Sequence, residues 1–273
     1  MALHGWSPET ALSAACPRVF WTDRPDAPDG AQRLNGQIDA DLVIVGGGFT
    51  GLWAAIHALS AAPGRRIAIV EAGDVGCGAS TRNGGMVDAS IAHGAENAHR
   101  HWPDELDLIV RLGDQNFADL QQCLIDHHID ARHEQSTQTH GALAQQFFST
   151  FPQLEGLDFT HRWGGPIAAT SRFTCAWGQR FDDRLAWVGG YTGLGVAASC
   201  FGAQVALDLV DGVETERTEL KMVRSKPFPF PPEPLRSAVV GITKKSIQRA
   251  DERQGCENVW LKFLSRLGIG FDT

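Results

Sequence analysis

The stretch DADLVIVGGGFTGLWAA, from Asp39 to Ala55, decides the fold. Leu42-Val43-Ile44-Val45 is a short apolar, β-branched run of the kind expected for a strand buried on both faces. It breaks into G-x-G-x-x-G at Gly46, Gly48 and Gly51, and a helix is expected from about Phe49. Each glycine has a mechanical task in such a turn. The first makes the tight turn, the second lets backbone approach a pyrophosphate, and the third lets helix pack closely on strand. The helix then directs its free N–H groups and its positive dipole end at the phosphates.

The flanking residues support this cradle. Leu52 to Ala62 is a helix-forming run closed by Pro63-Gly64, a helix stop followed by a turn. Arg66 to Val70 reads as a second strand, and it delivers Glu71 at about 20 residues beyond the last glycine. An acidic side chain there can accept from a ribose 2′-OH and repels a 2′-phosphate, so NADP is disfavoured while FAD and NAD remain open. Leu42 to Leu59 carries no full charge, but a triple glycine and His57 interrupt it. A membrane-spanning helix would need about 20 predominantly apolar residues, so a βαβ unit is the better assignment.

Two further glycine segments follow. Gly76 to Met86 (GCGASTRNGGM) is a loop of small residues in which Arg82 offers a fork of donors suited to phosphate or carboxylate. A plain surface loop is the alternative. A nicotinamide-binding fold would not need the segment. Ala186 to Ala198 (AWVGGYTGLGVAA) again reads as strand, glycine turn and helix, continuing through Leu209 to a stop at Asp211-Gly212. It is either one more glycine-capped turn, or a helix N-terminus able to stabilise negative charge on a reduced isoalloxazine at its N1/O2 edge.

Together these segments resemble the FAD-dependent oxidoreductases of the D-amino-acid oxidase superfamily. GGGFTGLWAA resembles that family's FAD fingerprint, GASTRNGG its second flavin segment and GGYTGLGVAAS its C-terminal one. TFPQLEG (150–156), FTHRWGGPIAATSRF (159–173) and the tail MVRSKPFPFPPEPLR (222–236) are similar to the γ-glutamylputrescine oxidase-like branch. The resemblance implies an α/β Rossmann-like FAD-binding fold and FAD as cofactor. It further implies oxidation of a C–N bond of an amine or amino acid, with hydride passing to flavin N5, an imine released to hydrolysis, and oxygen as the electron acceptor. By the same resemblance Gly46, Gly47, Gly48, Thr50 and Gly51 hold the pyrophosphate and Glu71 the adenosine ribose. Ser80, Arg82, Asn83 and Gly84 lie on the flavin side, and Gly193, Leu194 and Gly195 at the N1/O2 edge. Trp163, Gly164, Gly165 and Arg172 are candidates for the substrate face, and no general base is assignable.

The family carries a largely antiparallel substrate domain between its second and third flavin segments, and here that span is short. A helix is expected from Glu105 to Ile129, with Leu106, Ile109, Val110, Phe117, Leu120 and Leu124 at helical spacing. A second is expected around Leu143 to Phe148, and no convincing run supplies a third parallel strand. The expectation is therefore an N-terminal extension (1–38), an FAD-binding domain (39–212) and a C-terminal tail with short helices (213–273). Within the FAD-binding domain an internal deletion falls near 132–135, and residues 140–185 are a remnant of the flavin-bordering region. The substrate domain is reduced or missing. A non-catalytic or unstable flavin-fold remnant is the competing expectation, and an NAD-dependent dehydrogenase a distant third.

Composition narrows the class. An apolar content of 43% over 273 residues is globular, and a net charge of −8 argues against nucleic acid or anionic membrane as partner, local patches aside. The N-terminus has neither basic n-region nor apolar h-region, so a cytoplasmic protein acting on a small molecule is expected. Six cysteines at scattered spacings without C-x-x-C suggest reduced thiols. The histidines His93, His99, His101, His127 and His128 match no metal-ligand pattern, so no metal is expected. The prolines from Pro227 to Pro234 favour extended backbone, with short helices expected over Ser246–Arg253 and Val259–Leu267.

Overall fold

The structure is a computed structural model and describes residues 7, 10–25, 33–127, 140–165, 167–253, 256–266 and 269. The apparent deletion near 132–135 lies outside the described residues. In chain order the elements are β1 (Leu42–Val45), α1 (Phe49–Ala61), β2 (Ile67–Val70), α2 (Ala95–His101), α3 (Leu106–Asp126) and α4 (His140–Thr150). Then come β3 (Ala176–Arg180), β4 (Leu185–Gly189), α5 (Gly195–Asp211), α6 (Glu216–Glu219), α7 (Lys221–Arg224), α8 (Leu235–Asp251) and α9 (Val259–Arg266). The described residues are thus mixed α/β with two small sheets, and the chain divides into two compact units: residues 1–88 with 122–167, and residues 89–121 with 168–273.

In the first unit β1 and β2 pair in parallel, Val43 opposite Ala68 and Val45 opposite Val70, with α1 as the connection between them. Asp41 fastens the far end of the pair, accepting from the Arg66 N–H at 2.9 Å and from its guanidinium at 2.7 Å. Trp53, Ala54, Ala55 and Ala58 form the buried face of α1. The expectation of a strand buried on both faces is corrected here. Side chains alternate across a strand, and Val43 and Val45 stand 57% and 85% exposed. The physical reason is that this sheet has two strands among the described residues, and α1 covers one side of it. A separate aromatic cluster joins Ala11, Ala144 and Phe148 to Phe147, Leu154 and Phe159.

The second unit has its own core, where Ile91, Trp102, Ile109, Leu112, Trp177, Phe201, Val205 and Met222 pack together. β3 and β4 form an antiparallel hairpin, Gly178 opposite Trp187, turned by Phe181, Asp182 and Asp183 in the left-handed region. Only the second of these strands was expected from sequence. α5 ends on Gly212, whose φ of 67° permits the left-handed cap expected at Asp211-Gly212. α3 runs Leu106–Asp126, the expected end at Ile129 lying outside the described residues, and α4 extends the helix expected over Leu143–Phe148.

The tail differs most. The polar helix expected over Ser246–Arg253 is the last part of α8, which begins at Leu235 directly after the last proline and ends at Asp251. Proline is tolerated where a helix begins, because its missing N–H would be unsatisfied there in any case. The Glu233 carboxylate supplies acceptors to this end, taking the Ser237 N–H at 3.2 Å and the Ser237 hydroxyl at 2.7 Å. α9 matches the expected last helix closely. No helix among the described residues is long and apolar enough to cross a membrane.

Candidate functional site: the glycine turn and its braces

β1 delivers the chain to Gly46, whose φ of 107° is open to glycine and strained for other residues. Its N–H donates to the Val70 carbonyl at 2.8 Å, so the turn begins as a continuation of the parallel ladder. At Gly51, a Cβ would run into the Gly46 carbonyl oxygen and stand 3.2 Å from Ile44 Cγ2. Bare backbone at that position lets α1 lie down on β1. A Cβ at Gly48 would stand 2.8 Å from Ser80 Oγ, so the middle of the turn is flanked by a hydroxyl.

Two side chains brace this turn. The Glu71 carboxylate accepts the Gly47 N–H at 2.7 Å through Oε2 and the Gly73 N–H at 3.1 Å through Oε1. The Gly47 N–H, then the Gly73 N–H, hold the Glu71 carboxyl below the usual glutamate range. Ser80 Oγ accepts the Phe49 N–H at 2.8 Å, which satisfies a donor of the first turn of α1, and Thr50 follows it in the helix. The Gly76 N–H closes the set by donating to the Gly47 carbonyl at 3.0 Å. A carboxylate has roughly four lone-pair positions, so the two N–H groups on Glu71 leave acceptor capacity for a hydroxyl.

The second glycine segment is held by its own polar groups. Thr81 donates to the Gly76 carbonyl at 2.7 Å, and Asn83 Oδ1 accepts the Gly85 N–H at 2.8 Å across Gly84. Arg82 donates to the Gly164 carbonyl at 3.0 Å and the Cys77 carbonyl at 3.3 Å. Its stem lies so close to Gly165 that a Cβ there would stand 2.7 Å from Arg82 Cδ.

Sequence reasoning missed the part of residues 16–23 in this unit. Trp21 Nε1 donates to the Asn83 carbonyl at 3.0 Å, and Cys16 pairs through its backbone with Thr160 and Arg162 at 2.9 Å each. Asp23 Oδ2 meets His161 Nε2 at 3.2 Å. Trp163 is buried and stacks on Phe20 with ring centroids 6.4 Å apart, and its Nε1 has no partner among the described residues. The signal available was aromatic density, VFWTD (19–23) on one side and FTHRW (159–163) on the other.

The structure therefore brings Gly46, Gly47, Gly48, Thr50, Gly51, Glu71, Ser80, Arg82, Asn83, Gly84 and Trp163 into one unit. Gly193, Leu194, Gly195 and Arg172 belong to the other. There Gly193 has φ 93° and Leu194 stands at the N-cap of α5, without a side-chain cap. Thr192 Oγ1 donates to the Gly190 carbonyl at 3.0 Å and accepts the Thr170 N–H at 3.3 Å, which shapes the approach to the helix. Arg172 is buried. Its guanidinium donates to the carbonyls of Ser225 at 3.0 Å, Met222 at 2.8 Å and Cys175 at 3.2 Å, and lies over the Trp102 ring at 5.3 Å. Burial lowers its pKa, and the neighbouring Cys175 acts in the opposite sense. No group of three or more His, Cys, Asp and Glu among the described residues could hold a metal ion.

Residues 41–145 match the profile of the DAO family, described as FAD dependent oxidoreductase. A 54-residue stretch is 46% identical to the γ-glutamylputrescine oxidoreductase of Escherichia coli (strain K12). That stretch is 20% of this chain and spans only 12% of the relative's length. No solved structure matches the chain.

Proposed function

Because residues 41–145 match the DAO family of FAD dependent oxidoreductases, we propose that the chain belongs to it, binds FAD and oxidises a C–N bond of a small amine or amino acid. The observation that carries this reading is the turn itself. A strand ends on a left-handed glycine, a helix starts three residues later, and Gly51 lets the two approach at backbone distance. That geometry suits a pyrophosphate, because α1 begins directly at the glycine turn and its N-terminal end carries the positive end of the helix dipole.

On this reading Gly46, Gly47, Gly48, Thr50 and Gly51 hold the pyrophosphate, and Glu71 keeps the turn in shape while offering its remaining acceptor positions to the adenosine ribose. Ser80 and Asn83 order the neighbouring loop on the flavin side, with Arg82 and Gly84. Gly193, Leu194 and Gly195 carry the third segment's part on the resemblance alone, and Trp163 and Arg172 remain the candidates for the substrate face. When bound, FAD supplies a two-electron acceptor for hydride from the substrate carbon, with oxygen as the terminal acceptor. The chain's own groups bind and orient. A neutral amine needs no protein base to lose hydride from its α-carbon.

A second reading rests on the exposed Val43 and Val45, an apolar strand face that a folded flavoprotein would cover. On it the chain is a flavin-fold remnant without catalysis. One experiment separates the two: purify the chain, record the flavin absorption, and add amines anaerobically. A bound flavin whose band bleaches supports the oxidoreductase. A protein that neither copurifies with FAD nor takes it up on addition overturns it in favour of the remnant.

A further inference from the structure

The C-terminal helical pair carries a surface that neither the glycine segments nor the oxidoreductase reading uses. Between Leu235 and Arg266 the sequence has seven Lys and Arg against three Asp and Glu, a basic surplus in a chain whose net charge is −8. α8 and α9 pack on each other, and Trp260 Nε1 donates to Thr243 Oγ1 at 3.0 Å to fix their register. Leu261 and Leu264 are the buried side of α9.

The opposite side of α9 is the informative one. Val259, Lys262, Phe263 and Arg266 follow at i, i+3, i+4 and i+7, so they share one face, and all four are exposed. Val259 is 85% exposed and Phe263 51%, an arrangement that a water-facing helix has no use for. α8 adds the same mixture, with Val240 and Ile242 exposed beside Lys244 and Lys245. None of Lys244, Lys245, Lys262 and Arg266 forms an ion pair with a described carboxylate, so their charge is not cancelled within the described part of the unit. Apolar tips alternating with long cationic side chains suit an interface whose outer layer is anionic and whose inner layer is hydrocarbon. Lys and Arg stems can lie along the apolar region while their heads stay at headgroup level.

We propose that this face of α9 docks the protein peripherally on an anionic lipid surface, with Phe263 and Val259 entering the headgroup boundary and Lys262 and Arg266 meeting the lipid phosphates. Charge complementarity favours lipid over a second copy of this chain, because the exposed apolar and cationic groups are interleaved on one helix face.

The test is vesicle flotation of the full chain with phosphatidylcholine alone and with phosphatidylcholine containing about one third phosphatidylglycerol. The expected result is binding to the anionic vesicles only, weakening as salt rises. Lys262→Glu combined with Arg266→Glu should lower the binding constant by about tenfold or more, since each basic residue near a charged bilayer contributes on the order of fivefold. Phe263→Ser and, separately, Val259→Ser should each weaken binding at low salt, while circular dichroism melting stays at the wild-type midpoint. Equal binding to both vesicle types, no binding to either, or variants that float like the wild type would each overturn the proposal. So would heparin binding as tight as vesicle binding and indifferent to Phe263→Ser, which would assign the surface to a soluble polyanion. The flotation reads no flavin signal, so its outcome is independent of the oxidoreductase reading.

Discussion

The carboxylate of Glu71 accepts the backbone N–H of Gly47 at 2.7 Å, tying the end of β2 to the middle of the glycine turn. A donor pair that holds a carboxyl below its usual range stabilises the fold wherever the group is ionised in the folded state. That contribution is present above the unfolded glutamate pKa of about 4.3 and is lost as pH falls through the lower folded value. Glu71→Gln should therefore lower the thermal midpoint at pH 7, and the gap from wild type should narrow as pH approaches 3. A gap independent of pH would assign the loss to shape rather than charge.

Gly51 and Gly64 form a matched pair of substitutions on either end of α1. Gly51→Ala drives a Cβ against the Gly46 carbonyl, and overpacking of this kind costs about 1–3 kcal/mol. At Gly64 a Cβ meets nothing within 4 Å, so Gly64→Ala should stay within about 0.5 kcal/mol of wild type. Urea unfolding measures both, and FAD uptake should follow the first and ignore the second.

Arg172 carries the second unit's polar interior. Arg172→Ala leaves the buried carbonyls of Met222 and Cys175 without the donor they share, at a cost of about 1–3 kcal/mol for each one left unpaired, and releases the exposed Ser225 carbonyl to water. The expected outcome is loss of near-ultraviolet dichroism from Trp102 and Trp177 with helical content partly retained. Native dichroism with lost amine turnover would instead support Arg172 at the substrate face.

Burial pushes the Cys175 thiol up to about 12, with Arg172 nearby pulling it down by less. Titration with an aromatic disulfide at pH 8 should label exposed Cys77 and Cys256 first. Cys175 and Cys200, both buried, should react only after denaturant is added.

Much of the first unit was legible because its signals are local. Gly46 needs a left-handed φ and Gly51 needs no Cβ, and both demands are written in residue identity and spacing. Glu71 is expected to hold the adenosine ribose, and the spacing could not show that its oxygens hold Gly47 and Gly73. What the sequence hid is tertiary. Strand β3 reads AWGQR, too mixed to stand out, and becomes a strand because Trp187 lies across Gly178 on its partner. The turn Asp182-Asp183 was the available cue, since aspartate tolerates the left-handed region better than most residues. α8 was shortened because Leu235 to Val240 follows a proline run, and proline punctuates a helix interior but not its start. The exposure of Val43 and Val45 follows from what lies across the sheet, which no reading of four valine- and isoleucine-rich residues can contain.

The linkage of β1 through α1 to β2 also sets an order of assembly. Gly47 and Glu71 close the cradle across 24 residues of chain, whereas Arg111 and Glu216 meet across 105. Loop-closure entropy rises with the length closed, and short-range contacts form first. The glycine turn is therefore shaped early, by a helix and two strands that are neighbours in sequence. Contacts of the second unit that span a hundred residues wait for a longer search.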